Sequence, residues 1–123
     1  DVIGGGIQTF NRENYGDDRG DYLCYVLKSP GGEFVGGVIG VTYWSWLYIE
    51  LMWVREDLRG HGYGQKLLLH AEEEGRKRGA AHAYLDTFDF QAPEFYKRLG
   101  YQEFGLLKDF PPGHTRYFLS KDL

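Results

Sequence analysis

A glycine-rich turn between a strand-like segment and a helix-like segment carries the strongest chemical signal in the sequence. The turn reads Arg59-Gly60-His61-Gly62-Tyr63-Gly64. A helix N-terminus offers unpaired backbone N–H groups and a partial positive charge, which together attract phosphate. Glycines allow a phosphate to approach the backbone closely, and an adjacent arginine adds charge-assisted donors. The turn therefore predicts a pyrophosphate-binding site.

Two common phosphate loops do not fit this turn. A P-loop requires Gly-Lys followed by Ser or Thr, which the turn lacks. A dinucleotide fingerprint requires a third glycine three residues after the second, where this chain has Gln65. The spacing present, Arg-x-x-Gly-x-Gly, resembles the acetyl-CoA pyrophosphate loop of the GNAT N-acetyltransferase superfamily. An ordinary glycine-rich turn from strand to helix is the alternative interpretation.

A second segment resembles another signature of the same superfamily. It reads Asp89-x-x-Ala92-x-x-Phe95-Tyr96 and continues to Gly100-Tyr101. In the superfamily, Asn-x-x-Ala leads into Leu or Phe and Tyr, and then into Gly-Phe. Asp89 stands here for the usual Asn, and Tyr101 for the usual Phe. Taken alone, Phe95 and Tyr96 also fit core packing on a short helix, but two signatures in the right order favour the superfamily.

The resemblance implies how acetyl-CoA is bound. The glycine-rich turn would hold its pyrophosphate, and the second signature would add further contacts. Two residues of the preceding strand match positions whose backbone groups pair with the pantetheine arm, so that the cofactor behaves as an added strand. The expected cofactor-binding residues are Trp53, Val54, Arg59, Gly60, His61, Gly62, Tyr63, Gly64, Asp89, Ala92 and Phe95.

The resemblance also implies direct transfer of the acetyl group to an amine, which requires an acid and a base. Tyr96 stands at the family position for the acid that protonates the leaving thiolate, and a tyrosine with a pKa of about 10 is protonated at neutral pH. Glu50 is the candidate base, either directly or through a water. Tyr48 and Asp86 are its rivals, and a structural ion pair would equally explain a glutamate in an apolar strand. Backbone N–H groups of residues 52–54 are candidate oxyanion donors.

The acceptor amine is less well defined by the sequence. Aromatic residues cluster before and within the third strand, with acidic residues between and after them: Tyr43, Trp44, Trp46 and Tyr48, then Glu50, Asp86 and Asp89. They could form a pocket for a cationic amine, or the rings could simply fill the core. We therefore expect acetyl-CoA-dependent N-acetyl transfer to a primary amine of a small molecule or peptide. The alternative is a non-catalytic acyl-CoA-binding or interaction module.

The elements that position these residues follow from hydrophobic periodicity. Strands are predicted over residues 22–28, 33–42, 46–54, 81–86, 101–107 and 115–121, with helices over 7–14, from the glycine-rich turn to about 78, and over 93–99. The third and fourth strands should be parallel neighbours, because they flank a right-handed helical crossover. The expected class is α+β, a three-layer α/β/α arrangement with a mixed sheet of about six strands. It corresponds to a GNAT fold that lacks or shortens its usual first strand and helix.

Residues 1–123 are expected to form one domain, with a weakly structured N-terminal segment over residues 1–21. A missing first strand would expose a sheet edge, so a homodimer is predicted. Along the long helix, the pairs Glu72/Arg76, Glu73/Lys77 and Glu74/Arg78 are expected to lie in solvent.

Composition excludes several function classes. Eighteen acidic residues against 14 basic ones give a net charge of −4, which disfavours a nucleic-acid partner. No apolar stretch approaches the roughly 20 residues of a membrane span. The four histidines lack metal-ligand spacing, so no metal is expected. The single cysteine, Cys24, fits a reducing compartment, and the predicted location is cytoplasmic.

Overall fold

The computed structural model describes residues 7–11 and 21–123, and their side chains from residue 21 onward. The strands are β1 (Ile7–Asn11), β2 (Asp21–Lys28), β3 (Phe34–Tyr43), β4 (Trp46–Val54), β5 (His82–Phe88), β6 (Gln102–Lys108) and β7 (Thr115–Asp122). The helices are α1 (Tyr63–Lys77) and α2 (Pro93–Arg98), and a short 3₁₀ turn covers Glu56–Leu58. In this part of the chain, the strands form one sheet in the order β1-β2-β3-β4-β5-β7-β6.

The sheet is mixed, as predicted. Strands β4 and β5 run parallel, whereas the other neighbouring pairs are antiparallel. The parallel pair flanks α1, which confirms the crossover expected from the order of elements. The described sheet has seven strands rather than about six, because a short strand lies at its N-terminal edge.

The helix predicted over residues 7–14 is wrong for Ile7–Asn11. This segment is β1, which pairs with β2 so that Ile7 lies opposite Leu27 and Asn11 lies opposite Leu23. The sequence pattern here is weak, and the free edge of β2 offers backbone partners that override it. The sheet therefore has a short first strand. The remaining expectations for residues 1–6 and 12–20 lie outside the described residues.

The core lies between the sheet and α1. The sequence predicts a stripe of residues along α1 that repeats every four positions, at Tyr63, Leu67, Ala71 and Gly75, and that lies against the sheet. This stripe is confirmed, since Leu67 and Ala71 are fully buried and α1 packs on β2, β3 and β4. A Cβ at Gly75 would lie 3.0 Å from a methyl carbon of Leu47, so glycine lets the helix approach β4 closely. Partly buried side chains of α2 pack on the same core cluster. The two described helices thus form one of the two helical layers expected for a three-layer fold.

The charged face of α1 differs from its prediction. Glu74 pairs with Arg78 at 2.9 Å as expected, but Arg76 pairs with Glu73 at 3.2 Å. Glu72 is fully buried, and it accepts hydrogen bonds from the Tyr101 hydroxyl and from Lys121 Nζ, each at 2.9 Å. The prediction that Glu72 pairs with Arg76 in solvent is therefore wrong. Its position four residues after the buried Leu68 places it on the inward helix face.

Candidate active site

The parallel strands β4 and β5 separate part-way along their length. Their pairing ends at Ile49 and Leu85, yet β4 continues to Val54 and β5 continues to Phe88. On its other side β4 stays paired with β3, with Val54 opposite Gly36. The backbone of residues 51–54, including Trp53 and Val54, therefore borders an opening toward β5. This geometry suits a ligand that pairs as an added strand.

A β-bulge lies where the strands separate. Ile39 is opposite Leu51 and Gly40 is opposite Ile49, so Glu50 has no partner in β3. The bulge changes which side chains face the core: Leu47 and Ile49 before it, Met52 and Val54 after it. It also leaves Glu50 exposed rather than buried in an apolar strand. Within residues 21–123, no ion pair or side-chain hydrogen bond of Glu50 is found.

The two rival bases are engaged with other groups. The Tyr48 hydroxyl donates to Oδ2 of Asp86 at 3.1 Å, and Arg116 Nε donates to Oδ1 of Asp86 at 3.1 Å. Burial and the neighbouring Asp86 carboxylate raise the pKa of Tyr48 to about 12. Tyr48 therefore keeps its proton at neutral pH, and both oxygens of Asp86 already accept hydrogen bonds.

The glycine-rich turn has the geometry of an anion site. Gly60 and Gly62 adopt φ values of +83° and +84°, and the space where their Cβ atoms would lie is open. Gly62 directly precedes α1, no side chain caps that helix, and its first turn carries no acidic residue. Arg59 Nε donates to the Val54 carbonyl at 3.0 Å, which fastens the turn to the end of β4. The N–H groups at the start of α1 are thus uncapped by any side chain of the described chain.

The structure brings the two sequence signatures into contact. A Cβ at Gly64 would lie 3.4 Å from the ring of Phe95, so the start of α1 approaches α2 closely. Ala92 immediately precedes α2. The rings of His61 and Tyr63 lie 6.2 Å apart on the turn. The same Cβ at Gly64 would lie 3.8 Å from a methyl carbon of Val54, so Gly64 of the first signature and Phe95 of the second lie together beside the end of β4.

Asp89 has partners that the resemblance does not predict. Its Oδ2 accepts a hydrogen bond from the backbone N–H of Thr115 at 3.1 Å, and its Oδ1 lies 3.0 Å from Nδ1 of His114. Both oxygens thus contact the end of the connection between β6 and β7. Asp89 joins that connection to the end of β5.

Tyr96 lies half-buried on α2, with its ring edge-on to Tyr101 at 6.0 Å. Burial, and to a lesser extent the charge of Asp86, raise the pKa of Tyr96 to about 12. The phenol is therefore protonated throughout the physiological pH range. Tyr101 in turn donates to Glu72, which links the surroundings of Tyr96 to α1.

Sequence reasoning missed Arg116, which is the ionic partner of Asp86. Its guanidinium carbon lies 4.9 Å from the centre of the Phe110 ring and 5.1 Å from that of Phe118. The alternation of β7 could have placed Arg116 and Phe118 on one face. The ion pair between Arg116 and Asp86 also requires β7 to lie beside β5, and the sequence does not reveal that order of strands.

The described residues show neither a metal cluster nor a membrane span. Among residues 7–11 and 21–123, no group of three or more His, Cys, Asp or Glu side chains could hold a metal ion. None of the helices in this part of the chain is long and apolar enough to cross a bilayer.

Comparison with known proteins decides the family. The sequence profile described as the Acetyltransferase (GNAT) family matches residues 6–101. The chain belongs to the GNAT acetyltransferase family. Membership confirms the superfamily, the mixed-sheet fold and the N-acetyltransferase class predicted from the two signatures.

Named relatives agree with this assignment. The GNAT chain is 42% identical over 103 residues to blasticidin-S acetyltransferase of Streptomyces morookaense, covering 83% of this chain and 75% of the relative. An acetyltransferase structure from Bacillus cereus has a TM-score of 0.82 at 40% identity, covering 86% of this chain and 76% of that one. Nourseothricin acetyltransferase has a TM-score of 0.74 at 29% identity, with 89% and 69% covered. These relatives are acetyltransferases, which favours the enzyme over the non-catalytic module.

Proposed function

We propose that this GNAT enzyme transfers the acetyl group of acetyl-CoA directly to a primary amine of a small molecule. The observation that carries the proposal is the separation of β4 from β5 beside Glu50, whose side chain is exposed and has no ion pair or hydrogen bond with the side chains of residues 21–123. The new N–C bond forms as the C–S bond of the thioester breaks. Two protons must leave an ammonium nitrogen, one before attack and one as the amide forms, and one proton must reach the sulfur. Two of the relatives are named for small molecules, which favours such an acceptor over a peptide.

The opening beside β4 supports the proposed cofactor site. The uncapped start of α1, from Gly60 to Gly64, would hold the pyrophosphate through backbone N–H groups. The backbone of Trp53 and Val54 would pair with the pantetheine arm, because β5 does not pair with these residues. Arg59 would act by fastening the turn to Val54 and by adding positive charge.

Glu50 is the proposed base. Its carboxylate is exposed at the bulge, whereas Asp86 is paired with Arg116 and Tyr48 retains its proton. A free carboxylate beside the opening can accept the proton of an incoming ammonium, directly or through water. Tyr96 is the proposed acid, since its raised pKa keeps the phenol proton available for the leaving sulfur.

A thiol-release assay tests the proposed reaction. Acetyl-CoA is supplied with a panel of primary amines, and free CoA is followed with and without each amine. We expect release that requires both the amine and the enzyme. Tight binding of acetyl-CoA with no amine-dependent release across the panel would contradict the proposal and support the non-catalytic module.

Substitution of the proposed base should slow the reaction. We expect Glu50→Gln to lower kcat by about 10- to 100-fold, because the amide cannot accept the proton. The KM for acetyl-CoA should be unchanged, and the rise of kcat with pH that a carboxylate base produces should disappear. Glu73→Gln, which alters another exposed glutamate on the outer face of α1, is the control. An unchanged kcat–pH profile in Glu50→Gln would remove Glu50 from the mechanism.

Two glycine substitutions separate cofactor binding from backbone strain. Gly62 and Gly32 both have strongly positive φ, +84° and +87°, with open space around them. A Cβ in this conformation costs roughly 1–2 kcal/mol at either site. We expect Gly62→Ala to raise the KM for acetyl-CoA by about tenfold, equivalent to ~1.4 kcal/mol. Gly32→Ala should lower stability equally without changing KM, and equal KM values for both variants would contradict the assigned site.

The homodimer and the cytoplasmic location stay predictions. The N-terminal sheet edge that a missing first strand would expose is covered, because β1 pairs with β2. The other edge of the described sheet, β6, exposes Phe104, Leu106 and Leu107. These apolar side chains now support the proposal of a second subunit better than the N-terminal edge does.

A further inference from the structure

The sheet face opposite α1 carries an aromatic cavity that the proposed cofactor site does not use. Its volume is about 530 Å³. Six aromatic side chains form most of its lining: Tyr43, Trp44, Trp46, Tyr48, Tyr84 and Phe104. We call these six side chains and the space between them the aromatic pocket. No charged side chain lines this space within the described chain.

The rings of the aromatic pocket hold one another in place. Tyr48 stacks on Tyr84 at 4.7 Å, and Trp46 meets the edge of Tyr84 at 5.7 Å. Tyr43 stacks on Trp44 at 4.7 Å. Trp44 is 79% exposed, and its φ of +46° together with +69° at Ser45 belongs to the two-residue hairpin turn between β3 and β4. A large ring exposed beside a cavity is available for binding.

The aromatic pocket leads to the proposed reaction centre. Tyr48 lines the pocket and also donates to Asp86, and it lies two residues before Glu50 in β4. At ~3.3 Å per residue, Tyr48 is about 7 Å and Trp46 about 13 Å along the strand from Glu50. The start of α1 and the side chains of α2 pack on the other face of the sheet. An acceptor that reaches Glu50 therefore approaches across the aromatic face.

Charge selects what the aromatic pocket can hold. The faces of tyrosine and tryptophan rings attract cations, and no basic side chain of residues 21–123 lines the space. The His82 ring lies 4.6 Å from that of Trp46, and its Nδ1 lies 2.8 Å from Asp122. This pair has no net positive charge in either protonation state of the histidine. The net charge of −4 also favours a cationic ligand.

We propose that the aromatic pocket binds a second positive charge of the acceptor, remote from the nitrogen that is acetylated. The substrate class is thus an elongated amine with a cationic group about 7 to 13 Å from the reacting nitrogen, the distance that two to four strand residues span. This inference rests on the proposed function, because it takes Glu50 as the position of the reacting amine.

Calorimetry on the CoA-saturated protein tests the inference without turnover. The probes are agmatine, which carries a guanidinium, and N-(4-aminobutyl)urea, its neutral counterpart of the same shape. We expect agmatine to bind about fivefold more tightly, as cation–π contacts allow. Trp46→Leu and Trp44→Asn should abolish the difference, and asparagine tolerates the positive φ of the turn. Phe34→Leu, at an exposed ring outside the pocket, should retain it.

The outcomes separate this inference from the proposed function. Equal affinity for the two probes, or a preference that survives both tryptophan substitutions, would overturn the aromatic pocket as a cation site. Amine-dependent release of CoA with both probes at the same KM would do the same while supporting the proposed reaction. A preference for agmatine in binding, lost in Trp46→Leu, would support the pocket even if neither probe releases CoA.

Discussion

Tyr96→Phe is expected to lower the rate of acetyl transfer by about 10²- to 10³-fold, within the range for loss of a general acid. The hydroxyl is the only group removed, and the ring keeps its contact with Tyr101. Burial raises the pKa of Tyr96 to about 12, so the wild-type phenol is protonated at every pH used for the assay. The loss should therefore be the same across about pH 6 to 9.

The rate of acetyl transfer should be measured in a single turnover, because slow product release can mask the chemical step in kcat. The KM for acetyl-CoA should change by less than about twofold, since the hydroxyl acts on the leaving sulfur rather than in binding. Tyr22→Phe, a half-buried tyrosine on β2, is the control and should leave the rate unchanged. A Tyr96→Phe enzyme with a nearly normal single-turnover rate would show that another group protonates the thiolate.

Lys121→Met should lower the free energy of unfolding by about 3 kcal/mol, the cost of breaking a buried ion pair from one side. Glu72 is 0% exposed, and Lys121 Nζ lies 2.9 Å and 3.1 Å from its two carboxylate oxygens. Without the lysine, the carboxylate retains only the hydrogen bond from Tyr101. Urea denaturation followed by circular dichroism measures the change.

Two further variants define what the lysine contributes. Arg76→Met breaks an exposed pair with Glu73 on the same helix and should cost less than about 0.5 kcal/mol. Adding Glu72→Gln to Lys121→Met removes the stranded charge and should restore more than half of the lost stability. If Lys121→Met costs no more than Arg76→Met, the buried pair does not stabilise the fold.

Features encoded by neighbouring residues could be predicted from the sequence. The strand at Trp46–Val54 and the stripe of α1 follow from local periodicity, and the structure reproduces both. The glycine-rich turn requires positive φ at two positions, and the residues that allow it, Gly60 and Gly62, can be read directly from the sequence. The two signatures could therefore be placed on the correct elements before any tertiary contact was known.

Features that depend on distant partners could not be predicted. The burial of Glu72 requires Lys121, which lies 49 residues further along the chain. The partners of Asp89 lie 25 and 26 residues away, beyond two intervening elements. The bulge at Glu50 exists only in the register with β3. For β1, the edge of β2 decided the conformation against a weak local pattern.

The bulge at Glu50 also determines which way the side chains of the following cofactor segment, residues 51–54, point. Side chains of a strand alternate between two faces, and one extra residue reverses that alternation from there onward. Deleting Glu50 would therefore exchange the faces of the last four residues of β4, turning Leu51 and Trp53 toward the core and Met52 and Val54 away from it. The length of this strand is thus a constraint in its own right. A homologue one residue shorter here would need a second compensating change to keep the same site.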